Sequence, residues 1–118
     1  MKKRNNKERV DYFFEIFFVI LNVLIIILFY KNASLTTVLV LIIAIIGLFK
    51  WKSRRTLFIF LGVAIAGAGL EMICIEFGVW EYTVTDFYNI PFWLFIIWGS
   101  AAATIYQISK KIKEKKLK

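Results

Sequence analysis

Basic residues punctuate this chain at wide intervals and leave long apolar stretches between them. Lys2, Lys3, Arg4, Lys7 and Arg9 come first, Lys31 stands alone, Lys50, Lys52, Arg54 and Arg55 follow, and Lys110, Lys111, Lys113, Lys115, Lys116 and Lys118 come last. Crossing a hydrocarbon core about 30 Å thick takes about 20 apolar residues of helix. Four stretches approach that length, at 12–30, 33–51, 57–78 and 91–108. They predict an all-α polytopic membrane protein, a single domain over residues 1–118 with four transmembrane helices in an antiparallel bundle and basic tails at 1–11 and 109–118. A 60% apolar composition and a mean hydropathy of +0.71 agree with that reading.

Four spans place both termini on one side, and fifteen of the sixteen basic residues then share it, against Lys31 alone. The positive-inside rule predicts that this side is the cytoplasm, giving a multi-pass protein of the cell membrane with both termini inside. A net charge of +8 would point to nucleic acid in a soluble protein. Here it reads as anchoring to anionic lipid at the cytoplasmic ends, with no nucleic-acid partner. The first span also has the outline of a signal peptide, but its apolar run exceeds the usual length and cleavage would spoil the parity of the charge pattern. There is no histidine and one cysteine, Cys74. Zinc hydrolases, histidine-ligated haem and Ser-His-Asp chemistry are thereby excluded, and neither a metal nor another cofactor is expected.

The polar residues within the spans are few and ordered. Asp11, Glu15, Asn22 and Phe29 fall within about 40° of one another on a helical wheel, a line that should face other helices. Glu15 is expected at the hydrated cytoplasmic end, and Asn22 in mid-membrane as a candidate interhelical or ligand contact. The second span, with only Thr36 and Thr37 to offer, is expected to be a lipid-facing wall. The third crowds Gly62, Ala64, Ala66, Gly67, Ala68 and Gly69 together, a run that permits close helix approach in lipid. Its Glu71 lies about 10 Å below the outer end. A carboxylate there takes up a proton or meets water, a hydroxyl or a cationic ligand, which makes Glu71 the candidate catalytic residue. Glu76 sits nearer the surface. In the fourth span Pro91 suits the first turn, Trp93, Ser100, Thr104 and Gln107 share one face, and Gly99 and Ala101–Ala103 predict an intimate pairing with the third.

The connection GVWEYTVTDFYNIP, residues 78–91, contains no basic residue. Trp80, Tyr82, Trp93 and Trp98 are expected to roof a pocket over Glu71, with Glu76, Glu81 and Asp86 making it negative. Such a lining suits a cationic headgroup or an amphipathic lipid. Lys31 is positioned to neutralise one of these acids. The candidate binding set is Glu76, Trp80, Tyr82, Asp86, Trp93, Trp98, Ser100 and Asn22.

The run from Glu71 through Gly78-Val79-Trp80-Glu81-Tyr82 to Pro91-Phe92-Trp93-Leu94 and Trp98-Gly99 resembles a pattern in uncharacterised small four-helix membrane proteins of prokaryotes. It is distantly similar to the lycopene cyclase domain and related carotenoid-pathway membrane families, over about the second half of the chain. That resemblance implies an isoprenoid ligand and carries over Glu71, Trp80, Tyr82 and Pro91. Those cyclases place two glutamates after the proline, where this chain has Phe92 and Trp93, so the pair implied for acid catalysis is missing. The size of the chain and Glu15 also resemble small multidrug transporters, whose pattern around the glutamate is not found here.

Three functions follow. The first is a membrane interaction or lipid-binding module with an acidic, aromatic outer-face site, packed with itself or with a membrane partner. The second is an enzyme on a lipid or isoprenoid with Glu71 as general acid. The third is a dimeric proton-linked transporter of hydrophobic cations.

Overall fold

A computed structural model describes residues 2–116, with side-chain surroundings over residues 9–114. The chain forms four helices, α1 (Lys2–Phe29), α2 (Ala33–Trp51), α3 (Arg54–Glu76) and α4 (Trp93–Lys116). The second has the predicted bounds. The first and last continue through their basic flanks, because Lys, Arg and Glu favour helix and the backbone need not stop where the bilayer does. The tails expected at 1–11 and 109–118 are therefore helical as far as Lys2 and Lys116. The side chains of Lys2, Lys3, Arg4, Lys7, Lys115, Lys116 and Lys118 lie outside the described residues.

Short polar signals set the turns. The Asn32 side chain accepts from Leu35 N–H at 3.1 Å and caps α2, and Ser53 Oγ accepts from Thr56 N–H at 3.1 Å and caps α3. The Thr36 hydroxyl donates to the Phe29 carbonyl, which also accepts from Asn32 N–H at 2.9 Å, tying the end of α1 to the start of α2. At the end of α3, Gly78 takes φ +79°, its N–H reaching Ile75 O and the N–H of Val79 reaching Cys74 O. This paired pattern needs a left-handed residue, the reason for glycine there. Pro91 lies just before α4 rather than in its first turn, and its carbonyl accepts from Leu94 N–H.

α4 is the hub. It packs against all three other helices, most extensively against α3, while α1 and α3 do not touch. Close approach is built from glycine: Gly67 lies under the Trp98 ring and Gly99 under the Phe60 ring. Gly62 and Gly69 meet nothing within 4 Å, so only part of the small-residue run serves packing. The second helix turns Val38, Leu41, Ile42, Ile46 and Phe49 outward as a lipid-facing wall would, but it is not peripheral: Ala33, Thr36, Val40, Ala44 and Gly47 form a buried stripe, and α2 touches all three other helices. Small side chains at helical spacing carry that stripe, and they give a weaker sequence signal than polar ones.

Arg9–Phe29, Ala33–Trp51 and Arg54–Glu76 are long and apolar enough to cross a membrane. Phe13, Phe17, Phe58 and Ile65 on these helices are more than half exposed, an apolar surface that water would not tolerate in a monomer. α4 falls below that apolarity because Ser100, Thr104, Gln107 and its lysines lie along it. Enclosure by its neighbours lets those groups turn inward: Ser100, Thr104 and Gln107 are all buried, and Gln107 donates to Thr56 Oγ1 of α3 at 2.8 Å.

The first and last helices and the α2–α3 turn meet at one end. Lys50 pairs with Asp11 at 2.9 Å, and Lys111 pairs with Glu15. Glu15 is fully buried rather than hydrated as expected, because α4 brings Lys111 over it.

Candidate functional site

The opposite end, formed by the close of α3, the 77–92 connection and the start of α4, gathers most of the candidate residues. Glu71 is held from two directions. Tyr82 of the connection donates to Oε1, and the Trp98 indole N–H of α4 donates to Oε2. Both oxygens accept, so the carboxylate is oriented and engaged. The contact with Trp98 depends on Gly67, one turn earlier on α3, because any side chain there would occupy the space of the ring.

Tyr82 in turn meets the Trp93 ring edge-on, at 5.9 Å between centroids and 89°. Burial, then the hydrogen bond to Glu71 and its negative charge, hold the Tyr82 phenol well above its ordinary pKa. Glu76 is exposed and accepts from Tyr88 Oη at 2.8 Å, a bond that, together with the charge of Glu76, raises the Tyr88 phenol. Asp86 accepts from Phe92 N–H at 2.7 Å and so fastens the entry to α4. Asn89, not anticipated from sequence, donates to Met72 O at 3.1 Å and pins the connection to α3. Trp80 is 44% exposed and takes no part in these ring contacts, so Tyr82 and Trp98, rather than a roof of four aromatic rings, enclose Glu71. Lys31 makes no ion pair among the described residues.

Open space near this end runs beside Tyr82 and Trp93, along the seam between α1 and α4. An outer cavity of about 210 Å³ is lined by Ile26, Tyr30, Glu81, Tyr82, Thr83, Val84 and Trp93. Deeper, a cavity of about 160 Å³ is lined by apolar residues together with Asn22, Ser100 and Thr104. Ile26 lines both, so the two succeed one another along one seam. Glu71 lines neither.

Three polar atoms on this seam are buried without a partner: Trp93 Nε1, Ser100 Oγ and Asn22 Oδ1. Their residues are 6%, 2% and 5% exposed, which places each beyond easy satisfaction by bulk water. The Asn22 amide is oriented by its own NH2 group, which donates to Phe18 O at 3.0 Å and leaves the oxygen as a free acceptor. Behind the apolar walls of the seam thus lie a donor at Trp93, a hydroxyl at Ser100 and an acceptor at Asn22, each with a hydrogen bond unmade. Asn22 and Ser100 were marked by polarity inside apolar spans; the lining contributed by Ile26 and Ile97 had no such signal. Among the described residues no three Cys, Asp or Glu side chains are placed to share a metal ion.

No family model matches the chain, and comparisons with curated proteins and with solved structures give no match either.

Proposed function

We propose that this chain is a membrane-embedded lipid-binding module whose ligand lies along the α1–α4 seam. All four helices span the membrane, both termini and the α2–α3 turn face the cytoplasm, and the 77–92 connection faces outward. The observation that carries the reading is the set of three buried, unpartnered polar atoms, Trp93 Nε1, Ser100 Oγ and Asn22 Oδ1, along one apolar seam. An unmade hydrogen bond at a buried polar group costs about 1–3 kcal/mol. An amphipathic molecule with oxygen or hydroxyl groups along an apolar chain answers all three. Glu81, at the mouth, adds attraction for a cationic part of the headgroup. The resemblance to carotenoid-pathway families favours an isoprenoid among such lipids.

Glu71 supports this arrangement from behind, by fixing Tyr82 and Trp98. A general acid or a proton-exchanging carrier would need that carboxylate to face its substrate, and it lines neither cavity of the seam.

The test is native mass spectrometry of the full chain extracted from membranes in mild detergent. Wild type should retain a defined lipid. Ser100→Ala removes an unpaired hydroxyl, and Asn22→Leu removes an unpaired oxygen together with one hydrogen bond to the Phe18 carbonyl, so both should fold yet retain at least tenfold less lipid. Retention unchanged in both variants would defeat the reading.

A further inference from the structure

We infer that a second lipid site lies at the opposite, basic end, where the crevice between α2 and α3 holds an anionic glycerophospholipid. α2 and α3 are joined by a turn of two residues yet make the sparsest contact of any touching pair of helices. They enclose a cavity of about 390 Å³, lined by Ile45, Leu48, Phe49, Lys52, Arg54 and Leu57, with Ser53 at the turn.

Its two halves differ in chemistry. Ile45, Phe49 and Leu57 are 43%, 74% and 40% exposed, so the apolar walls open sideways to the bilayer. From Ile45 to Lys52 the crevice runs seven residues of α2, about 10 Å along the helix, which suits the upper part of an acyl chain. At its mouth stand Lys52 and Arg54. Neither makes an ion pair among the described residues, whereas Lys50, two residues earlier, is already held by Asp11. Ser53 Oγ accepts from Thr56 N–H, and its proton remains available to a phosphate oxygen. Lys52 also occupies a left-handed backbone position, φ 49°, where glycine is the usual choice. An occupant with an apolar chain and an anionic head fits both halves: the guanidinium of Arg54 matches a phosphate in two-pronged geometry, and Lys52 adds a point charge. Apolar peptide lacks the anion, and free phosphate leaves the walls uncovered.

The site stands independently of the α1–α4 seam, with which it shares no lining residue. The full chain in detergent, titrated with phosphatidylglycerol or phosphatidylcholine and read by native mass spectrometry, tests it. Wild type should prefer the anionic lipid about tenfold or more. K52Q/R54Q should weaken anionic lipid binding about ten- to thirty-fold, the loss expected for two cations near an anionic surface. K110Q/K113Q, an equal charge change at the same end but away from the crevice, should leave it unchanged. Leu57→Trp, which fills the crevice, should reduce binding of both lipids, with Ile45→Trp on the facing wall used if Leu57→Trp fails to fold. Equal losses in K52Q/R54Q and K110Q/K113Q would reduce the effect to diffuse charge and overturn the inference. Complete displacement of the lipid by inorganic phosphate would overturn it as well.

Discussion

Alanine at Gly67 and alanine at Gly69 should act in opposite directions. At Gly67 a Cβ would stand 2.3 Å from Trp98 Cδ2, 2.5 Å from Cε3 and 2.6 Å from Cγ. Ordinary contact begins at 3.4 Å, so the indole must retreat by about 1.1 Å from its nearest atom alone. That shift draws Nε1 off Glu71 Oε2 and loosens the carboxylate that also holds Tyr82. Overpacking of this kind costs about 1–3 kcal/mol. Loss of a hydrogen bond to a charged group adds about 1.5–3 kcal/mol, so Gly67→Ala should destabilise by about 2.5–6 kcal/mol in all. A Cβ at Gly69 meets nothing within 4 Å. There alanine should gain about 0.5–1 kcal/mol from its better helix propensity. Gly99→Ala falls between, since its Cβ strikes the Phe60 ring at 2.7 Å but breaks no hydrogen bond. Thermal unfolding of purified protein in detergent, followed by circular dichroism, ranks the three. In a Trp98→Ala background the penalty at Gly67 should disappear, because the two residues act through one contact. Equal stability of the Gly67 and Gly69 variants would refute the packing account of the Glu71 cluster.

Lys111→Ala should destabilise by about 3–5 kcal/mol, because it leaves the fully buried Glu15 without its cation. Lys50→Ala breaks a pair whose side chains are 33% and 23% exposed and should cost about 0–1 kcal/mol in the same unfolding assay. The fold holds the Tyr82 phenol neutral, so its folded pKa lies above the unfolded 10.0. That contribution to stability is intact below pH 10 and is lost as the pH rises beyond it. Wild type should therefore lose stability above pH 10 more steeply than Tyr82→Phe, and phenolate absorbance that tracks an ordinary tyrosine at this position would contradict the contact with Glu71. Asp86→Ala should cost about 1 kcal/mol, as for a lost helix cap, with lipid retention unchanged, because its carboxylate is turned to Phe92 N–H.

The helices were legible because apolar runs and basic punctuation are one-dimensional signals. Ala33–Trp51 matches residue for residue, and Gly67 and Gly99 marked the α3–α4 contact. What sequence misplaced depends on which helix stands in the middle. α4 occupies the hub, and this brings Lys111 over Glu15, buries one stripe of α2, and leaves Gly62 and Gly69 facing outward. A helical wheel gives angles within one helix but not the rotation of one helix against another. The same limit applies at the site. Glu71, Tyr82 and Trp98 were each singled out, yet their mutual bonds, and the displacement of the open space to the α1–α4 seam, follow from how the 77–92 connection folds back. Asp86 and Glu76, read as ligand-attracting acids, are instead engaged by Phe92 N–H and Tyr88.

A lipid seated in the seam between α1 and α4 would place the seam's lining within reach of a reactive group carried on its own chain. Photocrosslinking in native membranes, with lipids carrying a photoactivatable group in the chain and adducts mapped by peptide sequencing, tests that seating directly. Adducts should concentrate on Val19, Val23, Ile26, Ile97 and Ala101, which line the seam. Adducts spread over Phe13, Ile20, Leu24 and Ile27 in proportion to their exposed area would show an unoccupied seam and contradict the account.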